Sequence, residues 1–166
     1  TSSSELAAVV TKIMTYEKAT YLGNLDDYYS RAAMAGDPST SGNSCAITKE
    51  YVQEILENHG VDDVDIKISG SSWSSWMQNE LNDGVLYFNY RGYLGMSGFS
   101  NGDVDNISNG FKLPFATVLT CGTGSFAEDQ TSMSEKFFRA GTVTNPKGAV
   151  AAVGTATWNT HTLFNN

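Results

Sequence analysis

The residue with the clearest chemical potential is a cysteine that ends an apolar run, in the stretch LPFATVLTCGTGSF. Gly122 and Gly124 closely follow Cys121 and allow the backbone to turn sharply. A thiol at a strand end can act as a nucleophile, and N–H groups of the turn can bind a substrate oxygen, an arrangement often worth ~3 kcal/mol in the transition state. Such a thiol needs a base or a cation nearby to become a thiolate. The alternative is that Cys121 is a small buried apolar residue, as unbridged cysteines commonly are.

The sequence holds two histidines that could serve as the base. His59 ends the segment ITKEYVQEILENHG, which is predicted to be a helix, and the dipole of a helix favours an imidazole at its C-terminus. His161 follows the strand that comes after that of Cys121, in TWNTHT, so it is expected at the same edge of the sheet. His161 is therefore either an imidazole partner of the thiol or a polar residue of a loop.

A second candidate site is the acidic stretch SNGDVDNISNG, which places Asp103 and Asp105 between Asn101 and Asn106. Hard oxygen ligands at this spacing suit calcium, although the spacing of an EF-hand is absent. The alternative interpretation is an acidic surface turn that starts a helix. No cofactor is expected to be required, and a structural calcium ion is the one candidate.

The candidate site residues must be positioned by helices and strands. The sequence predicts short apolar strands that alternate with helices. Helices are predicted from about Ser4 to Lys18 and in ITKEYVQEILENHG, SSWSSWMQNELNDG and MSEKFFRAG; strands are predicted in VDIKIS, GVLYFNYRG, FATVLTCG and GAVAAVGTAT. The stretch from 21 to 45 is mostly loop, although DDYYSRAAMAGD could hold a short strand or a helical turn. This alternation predicts an α/β fold with a mainly parallel sheet flanked by helices. Ligands bind beyond the carboxyl ends of such strands, where Cys121 is expected.

Composition and charge narrow the range of partners. The 166 residues carry a formal net charge of −8, which argues against a nucleic-acid-binding surface and against an anionic membrane as a partner. No apolar run reaches the ~18 residues of a membrane-spanning helix. The N-terminal TSSSELAAVV has no signal-peptide pattern, and both ends are expected to be internal to a longer protein. The two cysteines, Cys45 in a predicted loop and Cys121 after a strand, are expected to remain unbridged.

Several segments, in order, resemble the catalytic domain of the gingipain-type cysteine peptidases, which are secreted bacterial enzymes with a caspase-like fold. FNYRGYLGMSGF resembles the NYxGHG…W segment of that family, and LPFATVLTCGTGSF resembles its LPF…CxxGxF segment. SEKFFRA…PKGAVAAVGTATWNTH is similar to xEALMRA…GxVAxIxST, and YEKATYLGNLDDYYSRAAMAGDPSTSG to a helix and the loop after it. The resemblance implies a caspase-like three-layer sandwich in which residues 1–166 form a single domain, the second half of a larger catalytic domain.

The resemblance also assigns roles to individual positions. It makes Cys121 the nucleophile, and it places Gly122 and Gly92 in the turns around the substrate oxygen. Trp158 and Arg91 are assigned to the pocket for the substrate side chain, which the segment with His161 also borders.

One position departs from the family pattern. The general base of the family is the histidine of GHG, whereas this chain has Tyr93 there. Tyrosine, with an ordinary pKa near 10, is a poor base at neutral pH. Either His161 supplies the imidazole, or the charge of Arg91 stabilises the thiolate, or the domain is inactive.

Two functions therefore remain open at the level of the sequence. The first is a cysteine peptidase that hydrolyses peptide bonds through the thiol of Cys121, with a protein or peptide as its substrate. The alternative is an inactive gingipain-like domain, lacking the histidine at Tyr93, that binds peptides or packs against a partner. Association with the rest of the catalytic domain, or a homodimer, is expected because an uncovered sheet edge invites pairing. The resemblance implies a secreted or cell-surface location.

Overall fold

The computed structural model describes residues 2–18, 27–128 and 130–158. In chain order its helices and strands are α1 (Ser3–Lys18), β1 (Arg31–Gly36), α2 (Pro38–Ser41), α3 (Ser44–Asn58), β2 (Asp63–Lys67), α4 (Trp73–Asp83), β3 (Tyr87–Leu94), α5 (Asn101–Asp105), β4 (Phe115–Cys121), α6 (Met133–Arg139) and β5 (Ala151–Gly154). A 3-10 turn, Asp27–Ser30, leads into β1. Within the described ranges, no helix has the length and apolar character needed to cross a membrane.

Five parallel strands form one sheet in the order β2-β1-β3-β4-β5. The α/β class and the mainly parallel sheet flanked by helices that were predicted from the sequence are confirmed. The position of β1 inside the sheet, between β2 and β3, was not apparent from the sequence, because RAAMAG is short and rich in alanine. Five of its six residues are buried, and small side chains let helices pack closely on both faces of a sheet.

The main core lies between one face of the sheet and helices α4, α5 and α6. Phe88 of β3 and Val118 of β4 are fully buried there, together with Leu81 of α4 and Phe137 of α6. The rings of Phe88 and Phe137 lie 5.9 Å apart, centroid to centroid. Complete burial of an apolar side chain of this size contributes ~1.5–3 kcal/mol, so this layer holds the ends of β3 and β4 in place.

Helix α3 covers the opposite face over β1 and β2. Val52 and Leu56 pack there against the buried Met34 of β1. Apolar spacing in ITKEYVQEILENHG predicts that Tyr51, Val52, Ile55 and Leu56 are buried, but Tyr51 is 62% exposed and Ile55 is 37% exposed. The fully buried positions of this helix are instead Cys45 and Lys49, which lie against Gly36 at the end of β1.

The predicted loop position of Cys45 is also wrong, because α3 begins at Ser44, ahead of the predicted helical segment ITKEYVQEILENHG. The Gly- and Ser-rich stretch before α3 has the composition of a loop. In the structure it forms the short helix α2 and the turn between α2 and α3. The prediction for His59 is confirmed. This residue ends α3, and its Nδ1 lies 2.8 Å from the carbonyl oxygen of Ile55.

Helix α1 is attached through a buried ammonium group. Lys12 is 1% exposed, and its Nζ donates to the carbonyl oxygens of Phe138 (2.6 Å), Ala149 (3.1 Å), Ala140 (3.2 Å) and Lys147 (3.2 Å). Each of these carbonyls is more than 120 residues away along the chain. The ammonium therefore ties the N-terminal helix to the last turn of α6 and to the segment that leads from it to β5.

Candidate active site

Cys121 is the last residue of β4, as expected, and it is half-buried beside a cavity of about 360 Å³. It forms no disulfide with Cys45, which confirms that prediction. Gly122, the next residue, has φ +73°, a backbone conformation that favours glycine. A Cβ at Gly122 would also lie 2.5 Å from the ring of Trp158, so the turn needs glycine for two independent reasons.

The turn after Cys121 is fastened to the segment that follows β5. A Cβ at Gly124 would lie 2.5 Å from the carbonyl oxygen of Gly154, so the two backbones pass in close contact. The N–H of Gly124 donates to the carbonyl of Thr155 at 3.0 Å. Thr123 Oγ1 lies 2.7 Å from the carbonyl oxygen of Val118 and accepts from the N–H of Thr155 at 3.2 Å. These contacts give the thiol a rigid support.

The N–H groups near Cys121 were expected to be available for a substrate oxygen, but the structure gives them other partners. Gly122 N–H donates to the carbonyl of Thr157 at 3.0 Å, so this bond would have to open before it could serve a substrate oxygen. Gly92 lies on β3, where its carbonyl accepts from Nη1 of Arg91. A Cβ at Gly92 would collide with the hydroxyl of Tyr90, which accounts for glycine there without a substrate.

Trp158 lines the cavity beside Cys121, where the sequence placed a substrate pocket. Its Nε1–H donates to a carboxylate oxygen of Glu128, which lines the same cavity. Sequence reasoning missed Glu128, because one acidic residue in a loop of an acidic chain carries no local signal. The aromatic ring and the carboxylate form one wall of the space that a substrate side chain would enter.

Tyr93 lies beside a different cavity. It is 56% exposed and lines a neighbouring space of about 380 Å³. The register of β3 shifts between Arg91 and Leu94, and Leu94 pairs with Cys121. Among the described residues, Leu94 and Gly95 line both cavities, so the space beside Tyr93 adjoins that of the thiol.

Arg91 is buried beneath the site and does not line the cavity of Cys121, as far as its described wall extends. Its Nη1 donates to the carbonyl oxygen of Leu119 at 3.0 Å. Burial lowers the pKa of Arg91, while the nearby Cys45 and Cys121 oppose that shift. The guanidinium thus lies close enough to both thiols to interact with them electrostatically.

Lys49 adds a second buried cation at this place. Its Nζ donates to Oδ1 of Asn89 at 2.5 Å, and burial together with the charge of Arg91 lowers the pKa of Lys49 to about 8. Burial also raises the pKa of the Cys45 thiol, which donates to the carbonyl of Gly42 at 3.1 Å. This cluster had no signal in the sequence, since lysine and arginine are rarely buried.

His161 lies outside the described residues, so its distance from Cys121 stays a prediction. His59 is the one histidine within the described ranges, and it belongs to the end of α3. Asp103 is used within its own helix, where it accepts from the N–H and the hydroxyl of Ser100, both at 2.7 Å. Asp105 pairs with Lys136 at 2.7 Å. The described residues contain no cluster of three or more His, Cys, Asp or Glu suited to a metal, and the calcium site stays a prediction.

Comparison with known proteins identifies the family. The model of peptidase family C25 matches residues 1–166, the entire chain. The chain belongs to this family. It is therefore a domain of the cysteine-peptidase type, as the resemblance in the sequence implied. None of the curated proteins compared with this C25 domain matches it.

Solved structures confirm the fold of the C25 domain. The crystal structure of the Arg-specific cysteine proteinase gingipain R superposes with a TM-score of 0.80 at 20% identity, covering 94% of this chain and 38% of that one. A complex of the pro- and mature domains of the same type of enzyme from Porphyromonas gingivalis gives 0.76 at 20% identity, covering 93% and 38%. A structure described as a protease gives 0.80 at 23% identity, covering 95% and 35%. The C25 domain thus spans between 35% and 38% of the solved chains that it matches.

Proposed function

We propose that this C25 domain hydrolyses peptide bonds through the thiol of Cys121, within a longer polypeptide. The observation that carries the proposal is the position of that thiol. It stands at the carboxyl end of β4, on a glycine turn held against the segment after β5, and it borders a cavity of about 360 Å³. A nucleophile must be both accessible and held in place, and this geometry meets both conditions.

The reaction proceeds in two balanced steps. The thiolate of Cys121 attacks the carbonyl carbon of the scissile bond, a carbon–sulfur bond forms, and the amine leaves with a proton from the general acid. Water then attacks the thioester, its proton passes to the base, and the carbon–sulfur bond breaks to release the carboxylic acid and restore the thiolate of Cys121. The ring of Trp158 and the carboxylate of Glu128 would contact the side chain on the acyl side of the bond.

We assign the general base in this scheme to His161, because the other two groups considered as partners of the thiol, Arg91 and Tyr93, are less suitable. Arg91 remains protonated in proteins and can stabilise a thiolate, but it cannot accept and return a proton. Tyr93 lines the neighbouring cavity rather than that of Cys121. The support for His161 is that it follows β5 in the chain, and in a sheet whose five strands are parallel a residue after β5 is expected at the same edge as the thiol.

A second candidate function is an inactive C25 domain that binds peptides. Two observations favour it: Tyr93 replaces the family's histidine, and the N–H of Gly122 is already bonded to Thr157. Such a domain would keep the cavity and lose the chemistry. Under either function, we place the protein outside the cell or at its surface, because its gingipain-type relatives are found there.

The test is hydrolysis of a fluorogenic peptide library by the natural polypeptide that carries this domain. Cys121→Ala should abolish activity, and His161→Ala should lower kcat by ~100-fold or more, the usual effect of losing a general base. Tyr93→Phe is the control and should change the rate by less than ~10-fold, the effect of one hydrogen bond. Hydrolysis that persists in Cys121→Ala would exclude the mechanism. Binding of peptides without hydrolysis in the unaltered protein would establish the second function.

A further inference from the structure

Arg91 is a buried cation that takes part in neither step of the reaction proposed above. It is 1% exposed, and its Nη1 donates to the carbonyl oxygen of Gly92 and, at 3.0 Å, to that of Leu119. These two bonds hold the guanidinium beside β4 without neutralising it, because a carbonyl oxygen carries no net charge. Since arginine stays protonated in proteins, its positive charge is permanent.

The register of the sheet places Arg91 and Cys121 on the same face. Arg91 pairs with Leu119 of β4, and Cys121 lies two residues further along that strand. Burial alternates regularly along β4 up to Cys121, so Leu119 and Cys121 share the face opposite the buried Val118 and Thr120. Residues two apart in a strand are about 6–7 Å apart. The guanidinium bonded at Leu119 therefore lies beneath the thiol.

Of the two thiols near Arg91, only that of Cys121 combines this charge with access to a substrate. Cys45 is fully buried, and its thiol donates to the carbonyl oxygen of Gly42 at 3.1 Å. Burial raises the pKa of Cys45, which keeps that thiol protonated. Cys121 is half-buried and borders the cavity of about 360 Å³. A reactive thiol must be ionised beside a positive group and partly exposed, as Cys121 is.

A glycine on the next strand makes room for a second cation beside Arg91. Gly36 pairs with Arg91, and a Cβ at Gly36 would lie 2.7 Å from the carbonyl oxygen of Cys45 and 2.9 Å from Cγ of Lys49. Burial, together with the charge of Arg91, lowers the pKa of Lys49 to about 8. Both side chains are therefore positively charged at neutral pH, and they add to the positive potential on this face of the sheet.

The described negative groups near the site are more exposed than these cations. Asp37 follows Gly36 and is half-buried, and Glu128 is an exposed residue on the wall of the cavity. Burial raises the pKa of Tyr90 to about 12, so this phenol is neutral at neutral pH. Water and salt screen exposed charges more strongly than buried ones. The charge of Arg91 is thus expected to dominate at the thiol.

We propose that Arg91 is a positioning residue for Cys121, and that its buried guanidinium stabilises the thiolate in place of the histidine that the family motif has at the position of Tyr93. The thiol proton passes to the base, and Arg91 stabilises the anion that remains. Charge stabilisation and proton transfer are thereby divided between Arg91 and His161. The inference rests on the proposed function for its role in hydrolysis, but ionisation of the thiol can be measured separately.

The test follows alkylation of Cys121 by iodoacetamide from about pH 4 to about pH 10 in the natural polypeptide, since only the thiolate reacts. Mass spectrometry reads Cys121 and Cys45 separately. Arg91→Gln keeps an N–H donor but removes the charge, and it should raise the midpoint of the rate profile by ~1 pH unit or more. Arg91→Lys also shortens the side chain but keeps the charge, and it should recover at least half of that shift. Glu128→Gln removes a negative charge from the cavity wall and should shift the midpoint in the opposite direction.

His161→Ala tests the same role without altering a buried residue of the sheet, and it decides the question if Arg91→Gln proves unstable. At about pH 6.5, two units below the ordinary pKa of ~8.5 for a thiol, Cys121 in this variant should react at least ~10-fold faster than glutathione. A rate equal to that of glutathione would overturn the role of Arg91.

Two results with the Arg91 variants would overturn it as well. One is an unchanged midpoint in Arg91→Gln; the other is an equal shift in Arg91→Gln and Arg91→Lys, which would show that packing rather than charge matters. Hydrolysis combined with either result would retain the peptidase and reject the role of Arg91. The expected shifts without hydrolysis by the unaltered protein would retain that role and reject the peptidase.

Discussion

Replacing Lys12 with methionine should destabilise this C25 domain more than any exposed lysine substitution. The Nζ of Lys12 donates to four backbone carbonyl oxygens at 2.6 to 3.2 Å, and the side chain is 1% exposed. Methionine has a similar length and fills the space without an ammonium. The carbonyl oxygens of the segment between α6 and β5 would then face an apolar group.

The magnitude follows from the number of bonds. An ammonium has three protons, and hydrogen bonds to a charged group are worth ~1.5–3 kcal/mol each, so three contribute ~4–9 kcal/mol. Desolvation of the ammonium costs several kcal/mol of that sum. The expected loss is therefore ~3–5 kcal/mol, since methionine also leaves the buried carbonyl oxygens without a donor.

Urea denaturation followed by circular dichroism measures this loss. With a slope of ~2 kcal/mol per molar urea, the midpoint should fall by ~2 M. Lys136→Met is the matched control, because Lys136 forms one surface ion pair with Asp105 at 2.7 Å, which is worth ~1 kcal/mol or less. If the two variants have midpoints within ~0.5 M of each other, the four carbonyl bonds of Lys12 do not stabilise the fold and the reasoning fails.

Two more predictions concern the turn and the acid limit of stability. Gly122→Ala should displace the ring of Trp158, because the new Cβ would lie 2.5 Å from that ring and the backbone φ of +73° disfavours alanine. A blue or red shift of the tryptophan emission tests this prediction. An unchanged emission spectrum would contradict it. The backbone N–H of Ser2 and the guanidinium of Arg139 lower the pKa of Glu5 from 4.5 to about 2. As the pH falls from 4.5 to about 2, the carboxyl of Glu5 is therefore protonated in the unfolded chain before it is protonated in the folded one. The free energy of unfolding falls across that window. Thermal midpoints of Glu5→Gln should be less dependent on pH there, and parallel profiles for the two proteins would refute the assignment.

The α/β class and the place of Cys121 could be predicted from the sequence because both depend on local patterns. Short apolar runs between amphipathic helices indicate a parallel sheet, and a strand followed by glycines indicates a turn at its carboxyl end. The turn has that position, with Gly122 at a positive φ. The family could be recognised for the same reason, since its motifs are short and continuous along the chain.

Only the tertiary structure decided which side chains meet. The register of β3 shifts between Arg91 and Leu94, so that Leu94 pairs with Cys121, and Tyr93 lines a cavity that adjoins the one beside the thiol. The burial of Lys12 and Lys49 was likewise unpredictable, since a lysine in a helix normally faces water. Their partners are carbonyl or amide oxygens that are at least 40 residues away in the chain. A buried cation is stable only when such distant acceptors converge on it, and no local pattern in the sequence records that convergence.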